Sequence, residues 1–174
     1  FVLACTAASA SVAVLFRGTV NEVLAAAVVG TIISLLQVVH EVRGWQVGSL
    51  EPLSGLVASI CSLLFAHYVT PMDDRLPTLA ALIVMIPGLR LTMALTELAV
   101  GHLSSGVARL AGASVSLLTL IVGVGLGWRI GGGFRNLPQA DPNQFLVTNS
   151  ELWQWTAILI APVTFAILFQ ARWR

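Results

Sequence analysis

Lysine is absent from this chain: all nine basic residues are arginine, set against eight acids in 174 residues, for a formal net charge of +1. Charged residues make up only 10% of the sequence. With so little charge and no basic stripe, nothing predicts a nucleic-acid partner, whose binding rests on many phosphate contacts. Cysteine is nearly absent too. Cys5 and Cys61 lie far apart in apolar runs, without metal-ligand spacing, so each reads as a small buried or lipid-facing hydrophobe. His40, His67 and His102 fall near the ends of apolar runs, and none pairs with another at ligand spacing. No phosphate-binding loop, metal cluster or dinucleotide fingerprint occurs. Neither a metal nor a cofactor is expected. What the chain does have is apolar surface: 57% of it is hydrophobic and the mean hydropathy is +0.90. Such a composition excludes both a soluble domain and a disordered chain.

The apolar runs predict an all-α, polytopic transmembrane bundle of about six spans. Phe1–Phe16 covers 16 residues, about 24 Å of helix against a hydrocarbon core of about 30 Å. It reads as the remnant of a first span, and the chain as a fragment. A signal peptide is the weaker alternative, because no charged segment precedes the run and no clear cleavage site follows. The second span is Val23–Val39, entered from the polar elbow Arg17–Glu22. The third is Leu50–Val69, with Pro52 in the first turn, where proline is tolerated. The fourth is Leu76–Ala99, the fifth Val107–Ile130, and the sixth opens at Glu151 and runs to Phe169. Short turns make antiparallel neighbours. The expected organisation is therefore a five-span unit over 1–130, a linker over 131–149, and the first helix of a second unit over 150–174. Trp128, Trp153, Trp155 and Trp173 sit at span ends, as interfacial aromatics do. Arginines divide four against four between the two sides, so the positive-inside rule leaves orientation undecided. Gly123, Gly125, Gly127 and Gly131, with Gly112 and Ser116, form small-xxx-small pairs that let helix backbones approach closely.

The fourth span carries the most information. Pro87-Gly88 interrupts it, and proline both removes a backbone donor and clashes with the carbonyl four residues back. Lipid cannot satisfy the freed backbone groups, so such a break persists only against protein or a watery cavity. Where the helix restarts, its first amides lack intrahelical partners and carry partial positive charge, which suits a carboxylate. Arg90 adds a full charge in that first turn. Glu97 follows seven residues later, about two turns and roughly 10 Å along the axis. Thr92 and Thr96 offer hydroxyls. A lumen compatible with both an anion and a cation suits a zwitterion such as an amino acid. A structural kink, with Arg90 snorkelling to the interface and Glu97 interfacial, explains the same residues without a site. Asn21-Glu22 opens the second span, either as an acid complementing the helix dipole or as an acid at a cavity mouth. Arg109 reads as an interfacial anchor or a partner of Glu97 across the turn, and His102 as an interfacial polar group or a proton relay. A serine–histidine hydrolase built on Ser105 and His102 is set aside, because nothing supplies an oxyanion hole.

The run Ala80–Leu98, with Pro87-Gly88, Arg90 and Glu97, continuing through Ser105-Gly106-Val107-Ala108-Arg109-Leu110, resembles the threonine/serine exporter family. In that family a Pro-Gly pair interrupts an apolar helix, and an acid, a glycine turn and a Ser-Gly-x-x-Arg-like element follow. Phe16–Glu22 is similar to the family's first loop, and the likeness extends over nearly the whole chain. The resemblance implies export of threonine and serine across the bacterial inner membrane, driven by the proton gradient. It also implies a hydrophilic domain before the first span and a second transmembrane half, inverted relative to the first because each half holds five spans. Pro87, Gly88, Arg90, Thr92, Thr96 and Glu97 are then the expected substrate-binding residues. Glu22, Asn21, Arg109 and His102 are candidates for a proton or substrate path. The competing expectation is a non-transporting membrane scaffold, in which the glycine series mediates assembly into a homo-oligomer. A channel is disfavoured, since no ring of like charge lines any span.

Overall fold

The computed structural model describes residues 1–44, 48–69, 72–134 and 151–171. Seven α-helices account for most of them: α1 (Val2–Leu15), α2 (Val20–Arg43), α3 (Leu50–Tyr68), α4 (Arg75–Leu82), α5 (Gly88–Ala99), α6 (Leu103–Ile130) and α7 (Glu151–Ala171). A helical membrane bundle is thus what the apolar composition makes. Three helices, α2, α3 and α6, are long and apolar enough to cross a bilayer, and the bent pair Arg75–Met85 and Gly88–Ala99 makes a fourth crossing if taken as one. Val2–Leu15 and Trp153–Leu168 are shorter apolar helices. The expected 131–149 linker lies mostly outside the described residues; its start, Gly131–Phe134, is a short 3-10 turn.

Local chemistry explains the helix ends. At the α1–α2 elbow, Gly18 N–H donates to Ala13 O and Arg17 N–H to Val14 O, each at 2.9 Å. This is a Schellman closure, with Arg17 in the left-handed position at φ 59°. α2 then starts with a capping box: the Thr19 hydroxyl accepts from Glu22 N–H while Glu22 accepts from Thr19 N–H. A second Schellman closure ends α5, where Gly101 (φ 89°) takes the left-handed position and His102 N–H donates to Glu97 O at 2.9 Å. α6 therefore begins at Leu103, four residues earlier than the polarity of Ser104-Ser105 led the sequence reading to place the span. α2 likewise extends past its apolar run into His40–Arg43, because Gly44 at φ 60° supplies the stop.

Two modes of packing hold the bundle. Apolar clusters join α2, α3, α4 and α6 through Val29, Ile33, Ala58, Ala81, Leu82 and Leu120. Val12, Ala13, Ala26 and Ala80 join α1, α2 and α4. α7 lies along α1, with Leu168 against Cys5 and Ala8. Since lipid is as apolar as leucine, close backbone approach must supply the rest. Gly123 faces the Pro52 carbonyl, Gly127 faces Ser59 and Leu56, Gly55 faces Leu120 and Val124, and Gly131 faces Leu63. Register climbs in the same direction on both helices, so α3 and α6 run parallel. Gly125 and Gly112 have open space where a side chain would stand. Only the glycines spaced four residues apart, Gly123, Gly127 and Gly131, serve the seam.

α6 has 28 residues, about 42 Å at 1.5 Å per residue, longer than a hydrocarbon core. α3 covers it only from about Ser116 onward, and α5 folds back along the first part. Gly106 marks that second contact, with Leu98 against it at 2.7 Å from where a Cβ would stand. One stripe of α6 thus serves two partners placed end to end.

Candidate functional site

Pro87 acts on the backbone before it. Its ring excludes the carbonyl of Ile83, and α4 accordingly gives way at Ile83–Met85 to a single 3-10 turn. Ile86 is extended at ψ 124°, as the residue before proline prefers. Pro87 (φ −77°, ψ 50°) forms a tight inverse γ-turn that Gly88 N–H closes onto Ile86 O at 2.7 Å. The two half-helices meet at 55°. The interruption foreseen at Pro87-Gly88 is therefore present, and it occupies a full turn rather than one residue.

At the restart, Leu91 N–H donates to Pro87 O at 3.0 Å. The Leu89 and Arg90 amides before it have no backbone acceptor among the described residues, and both residues are exposed. Thr92 and Thr96 are also exposed, and their hydroxyls donate back to Gly88 O at 2.9 Å and Thr92 O at 2.8 Å. Their oxygens keep lone pairs but their protons are committed to α5. Glu97 does not meet Arg90. Its Oε1 accepts from Arg109 Nε at 2.9 Å, with side chains 25% and 54% exposed respectively. That is the pairing across the turn considered from sequence. Glu97 Oε2 is buried without a partner. His102 is exposed at the N-cap of α6 and makes no side-chain cap. It lies in a shallow, open depression with Gly101, Leu103, Ser104, Ser105 and Ala108. The other principal cavity is small and apolar, between Ile60, Leu63, Leu64, Ile130 and Gly131. Neither contains Arg90, Thr92 or Thr96, so α5 presents them on an open face.

Asn21 and Glu22 lie at the opposite end of the bundle from α5. Asn21 is half-buried. Glu22 is 6% exposed, and beyond its capping bond to Thr19 N–H at 2.7 Å its Oε1 accepts from Asp73 N–H at 3.3 Å. One carboxylate thereby ties the α1–α2 elbow to the segment before α4. The Thr-x-x-Glu spacing was available in sequence to reveal the cap; the bond to Asp73, 51 residues away, was not. Next to it, Asp74 accepts from the Trp128 indole. Burial, then the neighbouring Asp73, pushes its carboxyl above the ordinary 3.8.

Sequence reasoning passed over Glu51. It stands in the first turn of α3, its Oε1 accepts from the Ser116 hydroxyl of α6 at 3.3 Å, and its Oε2 is buried with no partner. The available signal was an acid just inside an apolar span, beside Pro52.

Apolar helices packed through glycine seams, with one crossing broken and charged, define a multi-pass helical membrane protein. The family is more specific. The family model ThrE, described as "Putative threonine/serine exporter", matches residues 1–131, and the chain belongs to that family. Comparison with curated proteins and with solved structures gives no match. Membership makes this a membrane transporter of a small-molecule substrate, and the scaffold reading loses its ground.

Proposed function

We propose that the chain is the first half of a secondary exporter for small hydroxylated amino acids, threonine and serine, coupled to protons and working in the bacterial inner membrane. The observation that carries the reading is the restart of the fourth crossing after Pro87, on a chain whose family is an exporter family. Free amides at Leu89 and Arg90, together with the Arg90 guanidinium, suit the α-carboxylate. Lone pairs on Thr92 and Thr96 accept from the substrate hydroxyl. Pro87 and Gly88 keep the restart open. The five-span unit over 1–130, with α4 and α5 as one broken span, forms one half, and the helix beginning at Glu151 starts the second, whose residues complete the site. Glu97 and Arg109 shape the α5–α6 turn, with His102 beside them. Glu22, with Asn21, lies at the far mouth of the path and acts there as a structural clamp. Homo-oligomers are compatible with the exposed apolar face of α6.

Counterflow of radiolabelled threonine in proteoliposomes of the full-length protein tests this. Arg90→Ala is expected to raise KM for threonine at least tenfold, and serine should compete where a β-branched hydrocarbon side chain does not. Threonine flux no faster than in empty liposomes would remove the substrate assignment. A cysteine placed at Thr92 is expected to react with a membrane-impermeant thiol reagent and to be protected by threonine. Inertness toward that reagent would mean the restart is packed dry.

A further inference from the structure

The geometry points to Glu51 as the group that accepts the substrate's ammonium, with Ser116 holding its carboxylate in place; the assignment rests on the exporter reading above. A zwitterion needs an anion in the site as well as the amides and Arg90, and the two acids nominated from sequence are both engaged. Glu22 has both oxygens hydrogen-bonded to backbone amides. Glu97 also has a buried oxygen without a partner, but the Arg109 guanidinium already supplies its counter-charge. Glu51 has only the Ser116 hydroxyl on one oxygen, while the other is shut away from solvent with no partner.

Such an oxygen is costly. A buried polar atom that lacks a partner loses about 1–3 kcal/mol, more when it is charged. The N-terminal dipole of α3 favours a negative charge in its first turn, but it gives Oε2 no hydrogen bond. Among the described residues, no charge around Glu51 does so either. On α6, Arg109 is seven residues from Ser116 and bound to Glu97, and Arg129 is at the far end. On α2, His40 reaches the Ser49 hydroxyl at 3.1 Å, and Glu41 and Arg43 are exposed. On α4, Arg75 lies at the opposite end of the bundle. The acid is held rigidly nonetheless, because Pro52, the next residue, is the one that the Gly123 backbone touches.

Register brings this acid toward the level of the restart. α5 runs antiparallel to α6 with Ala94 and Leu98 against Gly106. Stepping back six residues from Ala94 brings Gly88 level with about Gly112, roughly one turn from Ser116. The first turns of α3 and α5 therefore lie at neighbouring levels along α6, about one turn apart. Gly88 has open space where a side chain would stand. An amino acid with its carboxylate on the Leu89–Arg90 amides then directs its ammonium toward Glu51 Oε2.

The test uses the full-length protein in liposomes with Glu51→Gln, Glu51→Asp and Ser116→Ala. Threonine counterflow without an ion gradient gives KM and maximal rate. Labelling of Glu51 by dicyclohexylcarbodiimide is followed with and without methylammonium chloride. Glu51→Gln is expected to raise KM at least tenfold, and Ser116→Ala about threefold. Methylammonium is expected to slow labelling of the wild type at least threefold. Should Glu51→Gln not fold, Glu51→Asp replaces it, with KM raised at least threefold. An unchanged KM in the folded variant overturns the assignment. So does loss of gradient-driven flux alone, which would make Glu51 a proton carrier, and so does labelling indifferent to methylammonium. If the wild type moves neither threonine nor serine, the exporter reading falls, and protection by methylammonium alone decides whether Glu51 is an ammonium site.

Discussion

Replacing Gly123 by alanine should separate backbone packing from helix propensity in α6. A Cβ at 123 would run into the carbonyl of Pro52, with further Pro52 backbone atoms at 2.8 and 2.9 Å. Backbone cannot swing aside as a side chain can, so α3 and α6 must separate. Overpacking of this kind costs about 1–3 kcal/mol. Against it stands the gain of about 1 kcal/mol that alanine brings over glycine inside a helix. Gly125 supplies the control: it lies two residues away on the same helix, with nothing within 4 Å of its added Cβ. The propensity gain is common to both variants and cancels in their difference. Gly123→Ala should therefore be less stable than Gly125→Ala by about 1–3 kcal/mol. Gly127 and Gly106 fall between, because Ser59 and Leu98 present side-chain atoms that can rotate, although Leu56 O and Ala94 O stand behind them at 3.0 and 3.1 Å. The assay is unfolding of the full-length protein from detergent micelles with increasing dodecyl sulfate, followed by circular dichroism. Equal midpoints for the 123 and 125 variants would refute the parallel α3–α6 register.

The remaining predictions concern the charged and capping groups. Thr19→Ala removes the hydroxyl that caps α2 and should cost about 1 kcal/mol in the same assay; Glu22→Ala should cost more, since two amides lose their acceptor. A double-mutant cycle on Glu97 and Arg109 should give a coupling of about 0.2–1 kcal/mol that falls with added salt, because Arg109 is half exposed; a salt-independent coupling would show the pair to be shielded by a partner helix. Asp74 binds its proton more tightly folded than unfolded, being raised above 3.8 by burial. Stability is then gained as pH falls through the folded pKa and lost as pH rises through the window that begins at about 3.8. Asp74→Asn should flatten that slope in the pH dependence of the unfolding midpoint.

The sequence made legible whatever is decided within one turn of helix. Pro87 dictates the break because its clash is with Ile83 and its constraint is on Ile86, both local. Apolar length dictates α2, α3 and α6. Even the Glu97–Arg109 pair was foreseeable, since Gly101 closes so tight a turn that positions 97 and 109 meet across it. What escaped was decided by non-local register. Gly123, Gly125 and Gly127 look equivalent in the chain. Only placing α3, distant in sequence, parallel to α6 turns two of them inward and leaves Gly125 open. Helix limits slipped for a related reason, because left-handed closures at Gly44 and Gly101, not loss of hydrophobicity, end the helices.

The same distinction governs the acids. Glu22 and Glu97 stand out in sequence because they lie beside turns, and turns are where backbone amides and interfacial arginines are close enough to engage them. The features that make such a carboxylate conspicuous are therefore those that use it up. Glu51 follows the elbow after α2 by a few residues and faces a helix whose nearest polar group, Ser116, is 65 residues distant. Around Ser116, α6 brings glycine, serine, threonine and aliphatic side chains to the seam, and no charged one. In a membrane interior a charge left without a partner is expensive, so the acid least provided for by its own chain is the one best placed to receive a cation from outside it. An intact restart after Pro87 with Glu51 replaced should accordingly still bind the carboxylate of an amino acid, but lose the preference for compounds that carry a free ammonium. Competition of threonine counterflow by N-acetylthreonine measures that preference. In the wild type N-acetylthreonine should compete at least tenfold less well than threonine, and in Glu51→Gln the two should converge. A discrimination that survives the substitution would assign the ammonium to another residue.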